Sequence, residues 1–241
     1  MRLYRNVLGL AAALAATLSI SGGLVTAAGS PASESLTKLK AGNARFVASP
    51  EDALPVDGAK RAALVNGQTP FASILSCADS RLPPEIVFHT GLGDLFVVRA
   101  AGNITDKAIL ASIEYSVEHL NVPLVVVMGH ESCGAVAAAV DTPVGQSLGP
   151  NLDYLLAAIR PSVKATASRP AGERMRAAIL ANVEQTLNEM VTGSHLLREF
   201  AGKGKVQFVG AYYELASGQV HFSEPVIVAP AGEVHTRGGH N

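Results

Sequence analysis

Apolar residues along the 241-residue chain fall into short unbroken runs separated by longer amphipathic stretches. Phe71 to Ser76, Leu95 to Arg99, Pro123 to Met128 and Val206 to Tyr213 have strand length and are rich in β-branched and aromatic residues. The third run does not alternate, as expected of an interior strand covered on both faces. Helical spacing fills the gaps. Ser33 to Ala48, with Ser33 as N-cap, places Leu36, Leu39, Phe46 and Val47 on one rough face. Asp57 to Asn66 follows, closed by Gly67, and Pro83-Pro84 opens a short helix through Phe88. Thr105 or Asp106 caps a helix to about Leu120, and a small-residue helix runs from Cys133 through Val140. Further helices are predicted at about Leu152 to Ile159, Gly172 to Val191 and Ser194 to Phe200. Ala216-Ser217-Gly218-Gln219 turns the last long strand back into Val220 to Phe222.

Strand and helix thus alternate, which predicts an α/β fold. A mostly parallel central β-sheet is flanked by helices, with an N-terminal helical arm and a C-terminal antiparallel hairpin. In such sheets ligands gather beyond the carboxyl ends of the strands. A composition 48% hydrophobic and only 16% charged excludes a disordered chain. A formal net charge of -1 gives no electrostatic case for nucleic acid or an anionic membrane surface as partner.

The first residues stand apart from this pattern. Arg2 and Arg5 precede an uncharged apolar run from Val7 to Ile20, and Val25-Thr26-Ala27-Ala28 supplies the small residues of a cleavage site. That is the layout of a secretory signal, with cleavage after Ala27 or Ala28. The expected organisation is a signal peptide over 1–28, a catalytic domain over 29–229 and a flexible tail over 230–241. Periplasmic or secreted localisation follows, without stable membrane association after cleavage. An uncleaved N-terminal anchor is the alternative.

The chain has two cysteines, Cys77 and Cys133. Cys77 lies just after the first strand-like run, and Cys133 lies three residues past His130 in the loop after the third. Two strand ends can bring Cys77, His130 and Cys133 together. Such a Cys2His set with a free fourth position is the ligand pattern of a catalytic zinc site. In an exported chain the same cysteines could instead form a disulfide. Asp79 and Arg81 place an acid and its counter-ion in the loop of Cys77.

Read whole, Cys77-Ala78-Asp79-Ser80-Arg81 and His130-Glu131-Ser132-Cys133-Gly134 resemble the two signature elements of the β-class carbonic anhydrases. Gly93 to Arg99, Ala101-Gly102-Asn103 and Ile113-Glu114-Tyr115 are similar to the intervening segments, so the likeness spans about Leu36 to Phe222. It implies one Zn2+ per chain on Cys77, His130 and Cys133, and reversible hydration of carbon dioxide to bicarbonate and a proton. It implies that Asp79 either pairs with Arg81 or swings onto zinc in a closed state. Gln68 would bind substrate, Phe96 and Tyr115 would line the pocket, and the cleft would lie at the interface of a homodimer or dimer-based oligomer. Ile74 stands where some bacterial members carry a tryptophan of a regulatory bicarbonate site, so that regulation is not expected in the same form.

The residue chemistry agrees with the resemblance. Two thiolates cancel the ion's charge and weaken its acidification of water, which leaves work for a neighbouring carboxylate. Asp79, fixed by Arg81, can orient a zinc-bound hydroxide, and backbone N–H groups at Gly134 can receive charge from the attacked gas. Alternatives are the same scaffold acting on carbonyl sulfide or carbon disulfide, a non-catalytic zinc protein, and a thiol-disulfide exchanger. The last is weakened by the absence of a C-x-x-C pair.

Overall fold

The computed structural model describes residues 29–54 and 56–228, together with the backbone of Val234 and His235. The expected signal segment and most of the expected tail lie outside the described residues. Among the described residues no helix is long and apolar enough to cross a membrane.

Helix α1 (Pro31–Ala48) starts earlier than the pattern suggests, with Ser30 rather than Ser33 as its cap. Ser30 Oγ accepts the Ser33 N–H at 3.2 Å, and Pro31, its φ preset for a first helical position, lets the helix begin there. Helix α2 (Gly58–Ala63) is capped by Asp57 and stops short of Asn66. Strand β1 (Ala72–Ser76), helix α3 (Pro84–Val87) and strand β2 (Leu95–Arg99) follow, then a 3-10 turn at Ala101–Asn103 that the pattern did not announce. Asp106, not Thr105, caps α4 (Lys107–Glu118) through its carboxylate on the Ile109 N–H.

Strand β3 (Leu124–His130) runs two residues past Met128, because its ladder with β4 (Gln207–Tyr213) continues to the pair His130 and Tyr213. After α5 (Gly134–Asp141), helix α6 (Pro150–Ala165) continues through Pro161 instead of ending near Ile159. The proline withholds one N–H from the carbonyl of Ala157, an exposed residue that solvent can serve, while Leu156, Ile159 and Ser162 stay buried. Helices α7 (Ala171–Gly193) and α8 (His195–Gly202) precede β4, and β5 (Val220–Phe222) turns back antiparallel. Strands β6 (Ile227–Val228) and β7 (Val234–His235) form a separate antiparallel pair, so His235 belongs to a short ladder within the segment expected to be a flexible tail.

The main sheet has the order β2-β1-β3-β4-β5, and every pair except β4 with β5 is parallel. Residues of β1 and β3 are buried throughout and divide between the two faces. Ile74 and Val126 join Leu39, Phe88 and Ile159 on one side, whereas Leu75, Val125 and Val127 join Ile113, Met190 and Phe208 on the other. Helices therefore cover both faces, the α/β architecture that the alternation predicts. Helix α7 sits close on the sheet because two strand residues have no side chain. A Cβ on Gly129 would meet Val183 Cγ2 at 2.8 Å, and one on Gly210 would meet Val183 Cγ1 at 3.0 Å.

The helical arm is tied down by Asn43. Its buried amide donates to the carbonyls of Val87 and Gly218 at 3.2 and 2.8 Å, and its oxygen accepts the Val220 N–H at 2.9 Å. Replacing Asn43 by Ala strands three backbone groups and should lower the urea unfolding free energy by about 3 kcal/mol. Gly42→Ala should cost at least about 2 kcal/mol, since its Cβ would fall 1.9 Å from the Phe88 carbonyl oxygen and backbone must move. A variant as stable as the parent in either experiment would contradict this packing.

Candidate metal centre

Parallel pairing aligns Ser76 of β1 with Met128 of β3, so the chain leaves both strands at one edge of the sheet. Cys77 is the first residue past β1, His130 the last of β3, and Cys133 the N-cap of α5. All three are buried, and their ligand atoms lie within 4.8 Å of one another. Both cysteines are free thiols rather than a disulfide. Left-handed Ser132, at φ 53°, makes the tight turn that returns Cys133 toward His130.

His130 is 0% exposed. Its Nδ1 lies 2.9 Å from the Glu131 carbonyl, which fixes the proton on Nδ1. Nε2 is then a buried lone pair with no hydrogen-bond partner, the arrangement a histidine adopts toward a metal. The Cys77 sulfur accepts the backbone N–H of Gly102. The Gly102 contact is 3.3 Å.

Hydrogen bonding from Cys133, opposed by burial, lowers the Cys77 thiol from its ordinary value. The Cys133 thiol is pushed up by the neighbouring Cys77 sulfur and by burial. The pair therefore holds one proton tightly, because two adjacent buried thiolates need a cation between them. Tetrahedral zinc, with bonds of about 2.3 Å to sulfur and 2.0 Å to nitrogen, puts its ligands roughly 3.5 to 3.8 Å apart. The observed cluster fits such an ion, with Cys77, His130 and Cys133 as its three ligands.

Asp79 lies beside the cluster. Its carboxylate accepts from Arg81 Nε at 2.9 Å, Arg81 Nη2 at 2.7 Å and the Arg81 backbone N–H at 3.0 Å. Arg81 accordingly holds the Asp79 carboxyl well below the usual carboxylate range. Asp79 Oδ2 is 3.8 Å from His130 Nε2, so the carboxylate borders the ligand cluster while engaged by Arg81.

Sequence reasoning missed how this loop is held. Arg99, the last residue of β2, donates from Nε to the Cys77 carbonyl at 3.1 Å and from Nη2 to the Asp79 carbonyl at 2.6 Å. Ala78 N–H reaches the Ala100 carbonyl at 3.2 Å, and Asn182 of α7 holds the Gly102 carbonyl at 2.7 Å. A cation closing an apolar edge strand, three residues before Gly102, was the available signal.

The expected pocket residues lie elsewhere in the protomer. Phe96 pairs with Ser73, four residues before Cys77, hence about 13 Å away along the strand. Its ring stands 6.3 Å from that of Tyr115, which is 48% exposed and lies 5.1 Å from the His119 ring at a tilt of 49°. Gln68 is exposed at the opposite end of β1, in a cleft of about 480 Å³ with Arg61, Leu64, Leu92 and Gly93. Gly134 is exposed at the start of α5, beside the ligands, and faces open space. Ile74 is fully buried between β2 and β3.

Known proteins place this arrangement. The family model for carbonic anhydrase matches residues 72–220. The chain is 41% identical over 182 residues to carbonic anhydrase 2 of Mycobacterium tuberculosis, covering 75% of this chain and 87% of that one. It is 40% identical over 185 residues to a carbonic anhydrase of Mycolicibacterium smegmatis, covering 76% and 88%. Among solved structures, one of two tetrameric β-carbonic anhydrases from Sordaria macrospora superposes with a TM-score of 0.62 at 27% identity, covering 68% of this chain and 85% of that one. Agreement of sequence, fold and ligand cluster shows that the chain belongs to the β class of the carbonic anhydrase family.

Proposed function

We propose that the chain hydrates carbon dioxide reversibly to bicarbonate and a proton at a zinc ion held by Cys77, His130 and Cys133. The observation that carries this reading is the buried Cys2His cluster with an unpartnered His130 Nε2, bordered by a carboxylate clamped in place by Arg81. Zinc bound there supplies an acidified water, the nucleophile toward carbon dioxide.

The protein's own groups do the rest. Asp79, kept ionised and acceptor-only by the paired Arg81 N–H groups, takes the hydrogen bond of the attacking oxygen and turns its lone pair toward the gas. A carboxylate so strongly stabilised as the anion orients a proton better than it stores one, so the released proton leaves by another route. Backbone N–H at Gly134, at the start of a helix beside the ligands, is the donor proposed for the negative charge that develops on the substrate oxygens. The nearness of Asp79 Oδ2 to the ligand cluster supports a second, closed state in which Asp79 would leave Arg81 and join Cys77, His130 and Cys133 in holding the metal.

Gln68, Phe96 and Tyr115 support a homodimer in this reading. They are far from their own protomer's ligands yet partly exposed, so they line the pocket of a second copy across the interface. The pattern of Arg2, Arg5, Val7 to Ile20 and Val25 to Ala28 supports export to the periplasm or beyond.

Stopped-flow hydration assays with metal analysis test the core of the proposal. The purified protein should carry one zinc per chain and hydrate carbon dioxide. Asp79→Ala and Arg81→Ala should keep the zinc while losing about 100-fold or more of turnover. Full activity of Asp79→Ala near neutral pH would refute the orienting role. Light scattering should find a dimer or a multiple of one, and Tyr115→Arg should weaken both association and turnover; an active monomer would exclude the shared pocket.

A further inference from the structure

We infer that Glu131 is a positioning residue for the metal, acting through His130. The inference rests on the reading that Cys77, His130 and Cys133 hold zinc. Glu131 does not offer a ligand atom to the cluster, and its side chain runs in a different direction. Its carboxylate Oε2 accepts the Leu215 N–H at 2.9 Å, while its own N–H donates to the Tyr213 carbonyl at 2.8 Å. Its carbonyl is the group that meets His130 Nδ1 at 2.9 Å.

One residue is thus fixed at two points to the chain at the end of β4, and its third polar group sets the histidine tautomer. The ladder with β4 ends at His130 and Tyr213, so the main-chain bond of Glu131 is the last that β4 supplies to this turn. The carboxylate supplies the second anchor. With both in place the Glu131 carbonyl points at Nδ1, and Nε2 keeps its lone pair on the side of the two sulfurs. The polar group that fixes a metal-bound histidine commonly contributes about 10- to 100-fold in affinity.

Reach, not charge, is the property this role requires, and two substitutions separate them. Glu131→Gln keeps an acceptor oxygen at the same distance from Leu215 and should leave zinc affinity, measured by chelator competition, within about threefold of the parent. Glu131→Asp keeps the charge but falls short of Leu215, and should weaken zinc about tenfold or more. Nitrogen NMR of labelled histidine in the zinc-free proteins should find His130 protonated on Nδ1 in the parent and in Glu131→Gln, and a mixture of tautomers in Glu131→Asp. Parental affinity in Glu131→Asp would overturn the inference. So would equal weakening in both variants, or loss of the Nδ1 tautomer in Glu131→Gln, which decides the matter even if Glu131→Asp does not fold. A parent protein that binds no zinc would instead refute the metal site itself.

Discussion

Parallel pairing of β1 with its neighbours β2 and β3 is the constraint on which the site depends. Antiparallel neighbours would send Cys77, Arg99 and His130 to alternate edges of the sheet. In parallel register Ser76 stands level with Arg99 on one side and Met128 on the other, so all three functional residues emerge at one edge. Burial of β1 and β3 on both faces makes that register costly to shift, since a slip by one residue would exchange the side chains of the two cores. The precision of the ligand cluster is inherited from hydrophobic packing well away from it.

Around that edge the polar groups form a shell in which every holding side chain but one grips a backbone atom, and one backbone N–H grips a sulfur. Arg99 holds the carbonyls of Cys77 and Asp79, Asn182 the carbonyl of Gly102, Gly102 the sulfur of Cys77, and Glu131 the N–H of Leu215. The exception is the Arg81 guanidinium, which is spent on the Asp79 carboxylate and is more than half exposed. The loop backbone is therefore held by residues other than Arg81, whose guanidinium engages only the Asp79 side chain.

Much of this was legible in the sequence. Strand positions and the ligand triplet follow from apolar runs that end in cysteine or histidine, because a buried strand and a metal loop each leave a strong local signature. What was not legible depended on tertiary contact. Ser30 rather than Ser33 caps α1 because Pro31 starts the helix; α6 runs through Pro161 because its buried face outweighs one missing bond; Arg99 and Glu131 show their roles only when a loop 20 or 84 residues away supplies the partner. Likewise Phe96 and Tyr115 are three-dimensional neighbours on a surface remote from their own Cys77, a fact that motif spacing does not encode.

The long separation between Cys77 and the His130 to Cys133 turn also bears on how the protein comes to exist. Between them lie β2, α4 and the crossover that parallel strands demand. The turn can form locally, but the third ligand arrives only when β1 docks beside β3, a non-local event of the kind that is slow in folding. A nascent chain thus passes through a period with two separated thiols, and completion of the sheet is what converts them into a single cation-binding cage. On the proposed zinc reading, metal capture therefore belongs to the end of folding, when all three ligands first stand together.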